Sequence, residues 1–125
     1  MVLLDSNLFV IDRFFPRAVH YQSNRAFLWT LPTLEAGLSI FTLLELYGVA
    51  SFNLTAKELK TWLYDFPTFY PVRILDPWDI GLTASRAWFG TFLEGLAENI
   101  SRKMTFGDAI LLREAERYVV NTIVT

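Results

Sequence analysis

Apolar residues along this chain fall into two kinds of run: short continuous ones, and longer ones broken at helical spacing. Met1 to Leu4 is unbroken and ends in Asp5-Ser6-Asn7, a cluster of turn and cap residues. A run that is apolar on both faces predicts a buried strand of a parallel sheet. Helical material follows from Leu8 to Phe15 and from Arg17 to Leu31, with Pro16 as the break and Pro32 as the stop. Gly37 to Phe41 is the next predicted buried strand, and it feeds a helix from Thr42 to about Phe52. Thr55 followed by Glu58 is a capping-box pattern, so a helix is expected over 55–65, closed by Pro67. Val72 to Leu75 predicts a third strand. Helices are then expected over about 79–99, where Leu82, Trp88, Phe89, Phe92 and Leu96 keep helical spacing, and over 105–117. The β-branched stretch Tyr118 to Val124 predicts the fourth strand.

Strands alternating with helices imply one α/β domain over residues 1–125, a three-layer α/β/α fold around a mainly parallel sheet of about four strands. No internal repeat, linker or low-complexity tract interrupts it.

Composition narrows the chemistry. The chain is 53% hydrophobic and 16% aromatic. That fills a core and leaves apolar surface over, which predicts a homodimer or a heteromer. The helices between Thr55 and Asn99, with Trp62, Phe66, Trp88, Phe89 and Phe92, are the expected contact surface. Trp29, Trp62, Trp78 and Trp88 read as core before interface. The net charge of -2 argues against broad electrostatic binding of nucleic acid, but leaves room for a local metal-filled acidic site. The absence of cysteine removes disulfides, thiolate metal sites and a cysteine nucleophile, and fits a cytoplasmic protein. His20, the one histidine, cannot build a multi-histidine zinc site and reads as structural or exposed. No signal peptide is visible, and the longest apolar segment, Gly37 to Phe52, is broken by Glu45 and too short to span a bilayer.

Three acids stand out. Asp5 follows the first buried strand, on the edge where open α/β sheets bind ligands. Glu45 lies in an otherwise apolar run after the second strand, and Asp108 opens the last helix. Each also has a plain reading as a cap, since Thr42-x-x-Glu45 and Thr105-x-x-Asp108 both match a capping box. As a set they point further. Carboxylates gathered at one sheet edge repel unless a cation joins them. Oxygen ligands without histidine or cysteine suit Mg²⁺ or Mn²⁺.

The same residues carry a resemblance. Leu3-Leu4-Asp5-Ser6-Asn7-Leu8-Phe9 resembles the opening strand of PIN domains. Thr42-Leu43-Leu44-Glu45-Leu46-Tyr47-Gly48 resembles their second motif, and Thr105-Phe106-Gly107-Asp108-Ala109-Ile110-Leu111 their third. The resemblance implies a Mg²⁺- or Mn²⁺-dependent endoribonuclease, similar to VapC-type toxins and held inactive by an antitoxin protein. It implies Asp5, Glu45 and Asp108 as catalytic metal ligands, with Asn7 and Thr42 supporting them by hydrogen bonds. RNA is the implied substrate, and an inactive partner-binding module is the competing expectation. Family members usually continue past the fourth strand with Thr-Trp-Asp/Asn or similar, whereas this chain ends at Val124-Thr125. The C-terminal end of the family fold is therefore expected to be missing, and activity to be weak. No Gly-rich phosphate loop appears, and Asn7 stands where a haloacid-dehalogenase-like phosphatase needs a second aspartate.

Overall fold

The computed structural model describes residues 1–76 and 86–125, the side chain of Arg86 excepted. Trp78, Leu82 and the expected helix start near residue 79 lie outside them. The elements are β1 (Val2–Leu4), α1 (Ser6–Phe14), α2 (Tyr21–Leu28), a 3-10 turn (Leu31–Thr33), β2 (Ala36–Ser39), α3 (Ile40–Ala50), α4 (Ala56–Phe69), β3 (Arg73–Leu75), α5 (Arg86–Ser101), α6 (Phe106–Arg117) and β4 (Thr122–Val124).

The four strands form one parallel sheet in the order β3-β2-β1-β4. The chain steps outward from β1 to β2 to β3, then crosses to the other side of β1. The switch point therefore lies between the carboxyl ends of β1 and β4, where a ligand crevice forms in such sheets. The ladder runs to that edge, because Asp5 donates its amide to Val124 O at 2.9 Å.

Both faces of the sheet are covered, as the continuous apolar strands predict. Leu4 and Leu38 face one core, with Phe9, Leu43, Leu46, Trp62, Phe66 and Tyr70 from α1, α3 and α4 and the residue that closes α4. Leu3 and Leu75 face the other, against Leu111 of α6. Phe92 and Leu96 of α5 pack on Ala109 and Ile110, with Phe41 beside them. Burying a side chain of this size contributes roughly 1.5–3 kcal/mol. The second face is tight at Gly37, where a β-carbon would meet Met1 Sδ at 2.8 Å and Leu75 Cδ1 at 3.0 Å. No described helix is long and apolar enough to cross a membrane.

Several boundaries differ from the sequence reading. The helix expected to close before Pro67 runs through it to Phe69. Trp62, Phe66 and Tyr70 recur every four residues and their rings pack in series on Phe9 and each other. That packing holds the last turn despite the hydrogen bond a proline cannot donate. The helix expected over 17–31 is confined to Tyr21–Leu28, and His20 stands exposed before it without capping it through its side chain. The last strand starts at Thr122 rather than Tyr118, because its partner β1 starts at Val2, opposite Thr122.

The expected contact surface also changes. Trp62, Phe66 and Phe92 are buried within the chain's own core, so they cannot offer that surface. Phe89 of that set is exposed, and further large side chains lie outside: Phe52 is 91% exposed, Tyr64 86% and Trp29, expected in the core, 74%. Trp88 is half-buried.

Candidate active site

Asp5 is the first residue past β1 and the N-cap of α1. Its extended backbone (φ -94, ψ 157) lets the carboxylate accept from the Ser6 amide at 2.7 Å. Aspartate is among the best residues there, because it satisfies an orphan amide and meets the positive end of the helix dipole. Asn7 donates from Nδ2 to Asp5 Oδ2 at 3.3 Å. Asp5 is thus a cap, and a carboxylate held in place through both oxygens.

Glu45 is not a cap. The N-cap of α3 is Ser39, whose Oγ accepts from the Phe41 amide at 3.2 Å. Thr42 therefore sits buried in the first turn, and Glu45 comes a turn after it. The capping-box reading of Thr42 and Glu45 falls. Among the described residues, no hydrogen bond joins the Thr42 side chain to any of the three acids, so its expected support is not seen. Glu45 is an exposed residue, and its carboxylate lies near α1 and α6. Oε2 lies 3.4 Å from Ser6 Oγ, and a β-carbon on Gly107 would stand 3.2 Å from Oε1.

Asp108 lies exposed in the first turn of α6, where Thr105 caps its amide at 3.2 Å. The return bond from an Asp108 oxygen to Thr105, which would complete a box, is not formed as it is in α4 by Glu58.

Glu45 is affected by both of the other acids. The Glu45 carboxyl is pushed above the usual glutamate range, first by lost hydration, then by the charge of Asp5, and lastly by that of Asp108. The hydrogen bond from Ser6 opposes the rise. Ser6 has one hydroxyl proton and two carboxylate neighbours, with Asp5 Oδ1 at 3.3 Å and Glu45 Oε2 at 3.4 Å. It can serve only one at a time, which leaves the pair under-compensated when both are ionised. None of the three acids has an ion pair to lysine or arginine among the described residues.

The donor set is all oxygen and hard, which fits Mg²⁺ or Mn²⁺ in kind. Among the described residues, no three histidine, cysteine, aspartate or glutamate side chains gather closely enough to hold a metal ion. Asp5 and Glu45 share the Ser6 hydroxyl as a neighbour, and the charge of Asp108 acts on Glu45 less than that of Asp5 does. Mg²⁺ ordinarily keeps several waters and takes only one or two carboxylates. The site lies on an open edge. The cavity of about 260 Å³ between α5 and α6, lined by Trp88, Phe92, Asn99 and Arg113, includes none of the three acids.

Ser6, Ser39 and Gly107 were not singled out from sequence. Ser39 carried a usable signal, a small polar residue at the end of an apolar run before a helix. The position of Gly107 against Glu45 had none, since the two are far apart in the chain. No protein-family model, no curated protein and no solved structure matches this chain.

Proposed function

We propose that this chain is a Mg²⁺- or Mn²⁺-dependent endoribonuclease of the PIN-domain kind, acting through Asp5, Glu45 and Asp108. The observation that carries the reading is the Glu45 carboxyl pushed up by burial and by the charges of Asp5 and Asp108, with no ion pair to lysine or arginine at any of the three among the described residues. A fold keeps such a liability where a cation relieves it. Asp5 and Glu45 would hold the ion, with Asp108 adding charge beside it. Bound there, a divalent ion polarises a phosphate oxygen and lowers the pKa of water. Asn7 and the Ser6 amide keep Asp5 aimed, and Ser6 orients Glu45. The choice of RNA, and of an antitoxin protein as inhibitor in a toxin-antitoxin pair, rests on the resemblance of the three motifs.

The test is cleavage of a labelled single-stranded RNA with Mg²⁺ or Mn²⁺, against the same reaction in chelator. Asp5→Asn, Glu45→Gln and Asp108→Asn should each abolish cleavage while leaving the fold intact. Cleavage that survives all three substitutions, or chelation, would sink the reading.

A second reading has its own observation. Phe52, Tyr64 and Trp29 leave wide aromatic surface outside the core. It favours a partner-binding module, as homodimer or heteromer. Light scattering that gives a dimer, together with no cleavage under any metal, would put this reading first.

A further inference from the structure

Glu114 is wholly buried on α6, away from any chemistry so far described. Its Oε1 accepts from Ser39 Oγ at 3.5 Å and from Arg113 Nη1 at 3.2 Å. Its Oε2 has no hydrogen-bond partner among the described residues. Burial pushes the carboxyl up, against the pull of Arg113 and Ser39. An apolar residue of similar size would pack at lower cost. What the carboxyl holds is the start of α3. Ser39 is the last residue of β2 and the cap of α3, fully buried, with its oxygen accepting from the Phe41 amide and its proton directed to Glu114.

The two helices joined in this way both carry acids of the site. Glu45 lies six residues after Ser39, and Asp108 six residues before Glu114. At 1.5 Å per residue the tie stands about 9 Å along each helix from its acid. A tilt of several degrees at the tie moves Glu45 by roughly 1 Å, enough to unmake its approach to Gly107.

We propose that Glu114 is a positioning residue for the acid site, its buried carboxyl holding Ser39 and so fixing α3 against α6 with Glu45 seated on Gly107. The inference rests on the cation-site reading for its functional consequence, and on geometry alone for the positioning.

The test compares Glu114→Gln, which keeps an acceptor for Ser39, with Glu114→Leu, which keeps volume and loses the acceptor. Two quantities are read on the whole chain. One is the nuclear Overhauser contact between the Gly107 α-protons and the Glu45 side chain, which needs no metal. The other is the Kd for Mn²⁺ by calorimetry. Glu114→Leu should lose the contact and weaken Mn²⁺ at least tenfold, in the range roughly expected when an orienting group is removed. Glu114→Gln should keep the contact and hold the Kd within about threefold of wild type, well short of that range. Ser39→Ala should weaken Mn²⁺ likewise, and the double variant with Glu114→Leu should be no worse than either alone. Should Glu114→Leu fail to fold, Ser39→Ala carries the same two readouts. A Glu114→Leu protein with lower Tm but unchanged contact and Kd overturns the proposal, leaving Glu114 a core residue only. If wild type binds no Mn²⁺ while the contact follows the expected pattern, the positioning stands and the cation reading falls.

Discussion

Gly107 faces the Glu45 carboxylate across two helices: a β-carbon on the glycine would lie 3.2 Å from Oε1 and 3.4 Å from Oε2 of the glutamate. Gly107→Ala therefore has opposed effects on fold and site. Within a helix the exchange stabilises by roughly 0.5–1 kcal/mol. The new methyl displaces the carboxylate. The expected outcome is an unchanged or raised Tm in chelator, with Mn²⁺ affinity reduced about 10–100-fold. Unchanged affinity by calorimetry would show that Glu45 does not act from this position.

The raised pKa of Glu45 sets a sign for stability against pH. The folded state binds the Glu45 proton more tightly than the unfolded chain does. Between the ordinary glutamate range and the raised value, stability therefore falls as pH rises, and above that window the full repulsion is present. Glu45→Gln removes it. Because Glu45 is exposed and the effect screened, a Tm gain on the order of 1–3 °C is expected at neutral pH without metal. The gain should vanish in acid and shrink when Mg²⁺ is added, since the cation stabilises wild type alone. A Tm loss at neutral pH would contradict the repulsion.

Asp5 has two duties that separate by substitution. Asp5→Asn keeps a cap and should cost only a few tenths of a kcal/mol, whereas Asp5→Ala should cost about 0.5–2 kcal/mol in urea unfolding. Both should abolish cleavage. If Asn retains activity and Ala loses it only through stability, Asp5 is a cap and nothing more.

Tyr70 provides a control far from the acids. Its hydroxyl donates to Asp12 Oδ2 at 2.6 Å, and Arg25 stands 3.7 Å from the same carboxylate. Burial and Asp12 together push the phenol up, so it stays a donor at any ordinary pH. Tyr70→Phe should destabilise by about 1–3 kcal/mol, as for a bond to a charged acceptor. Mn²⁺ affinity should stay at the wild-type value. A matching loss of affinity would mean that the far end of α1 is coupled to Asp5.

The order of strands and helices, the parallel sheet and the place of Asp5 were legible in the sequence. They depend on local patterns: Met1 to Leu4 has no polar face, so it must be buried on both sides, and Asp5-Ser6-Asn7 ends it with groups that cap a helix. The start of α3 was not legible. Ile40 and Phe41 are as apolar as the strand before them, and only the neighbouring strand stops the ladder at Ser39, since β3 ends at Leu75 in register with it. That limit makes Ser39 the cap and frees Glu45 from being one. The extent of β4 was settled in the same way, by the register in which it pairs with β1. The contacts of Glu45 with Ser6 and Gly107, and of Glu114 with Ser39, join residues 39, 62 and 75 positions apart. No local period encodes such pairs, because they arise only when the sheet brings α1, α3 and α6 to one edge.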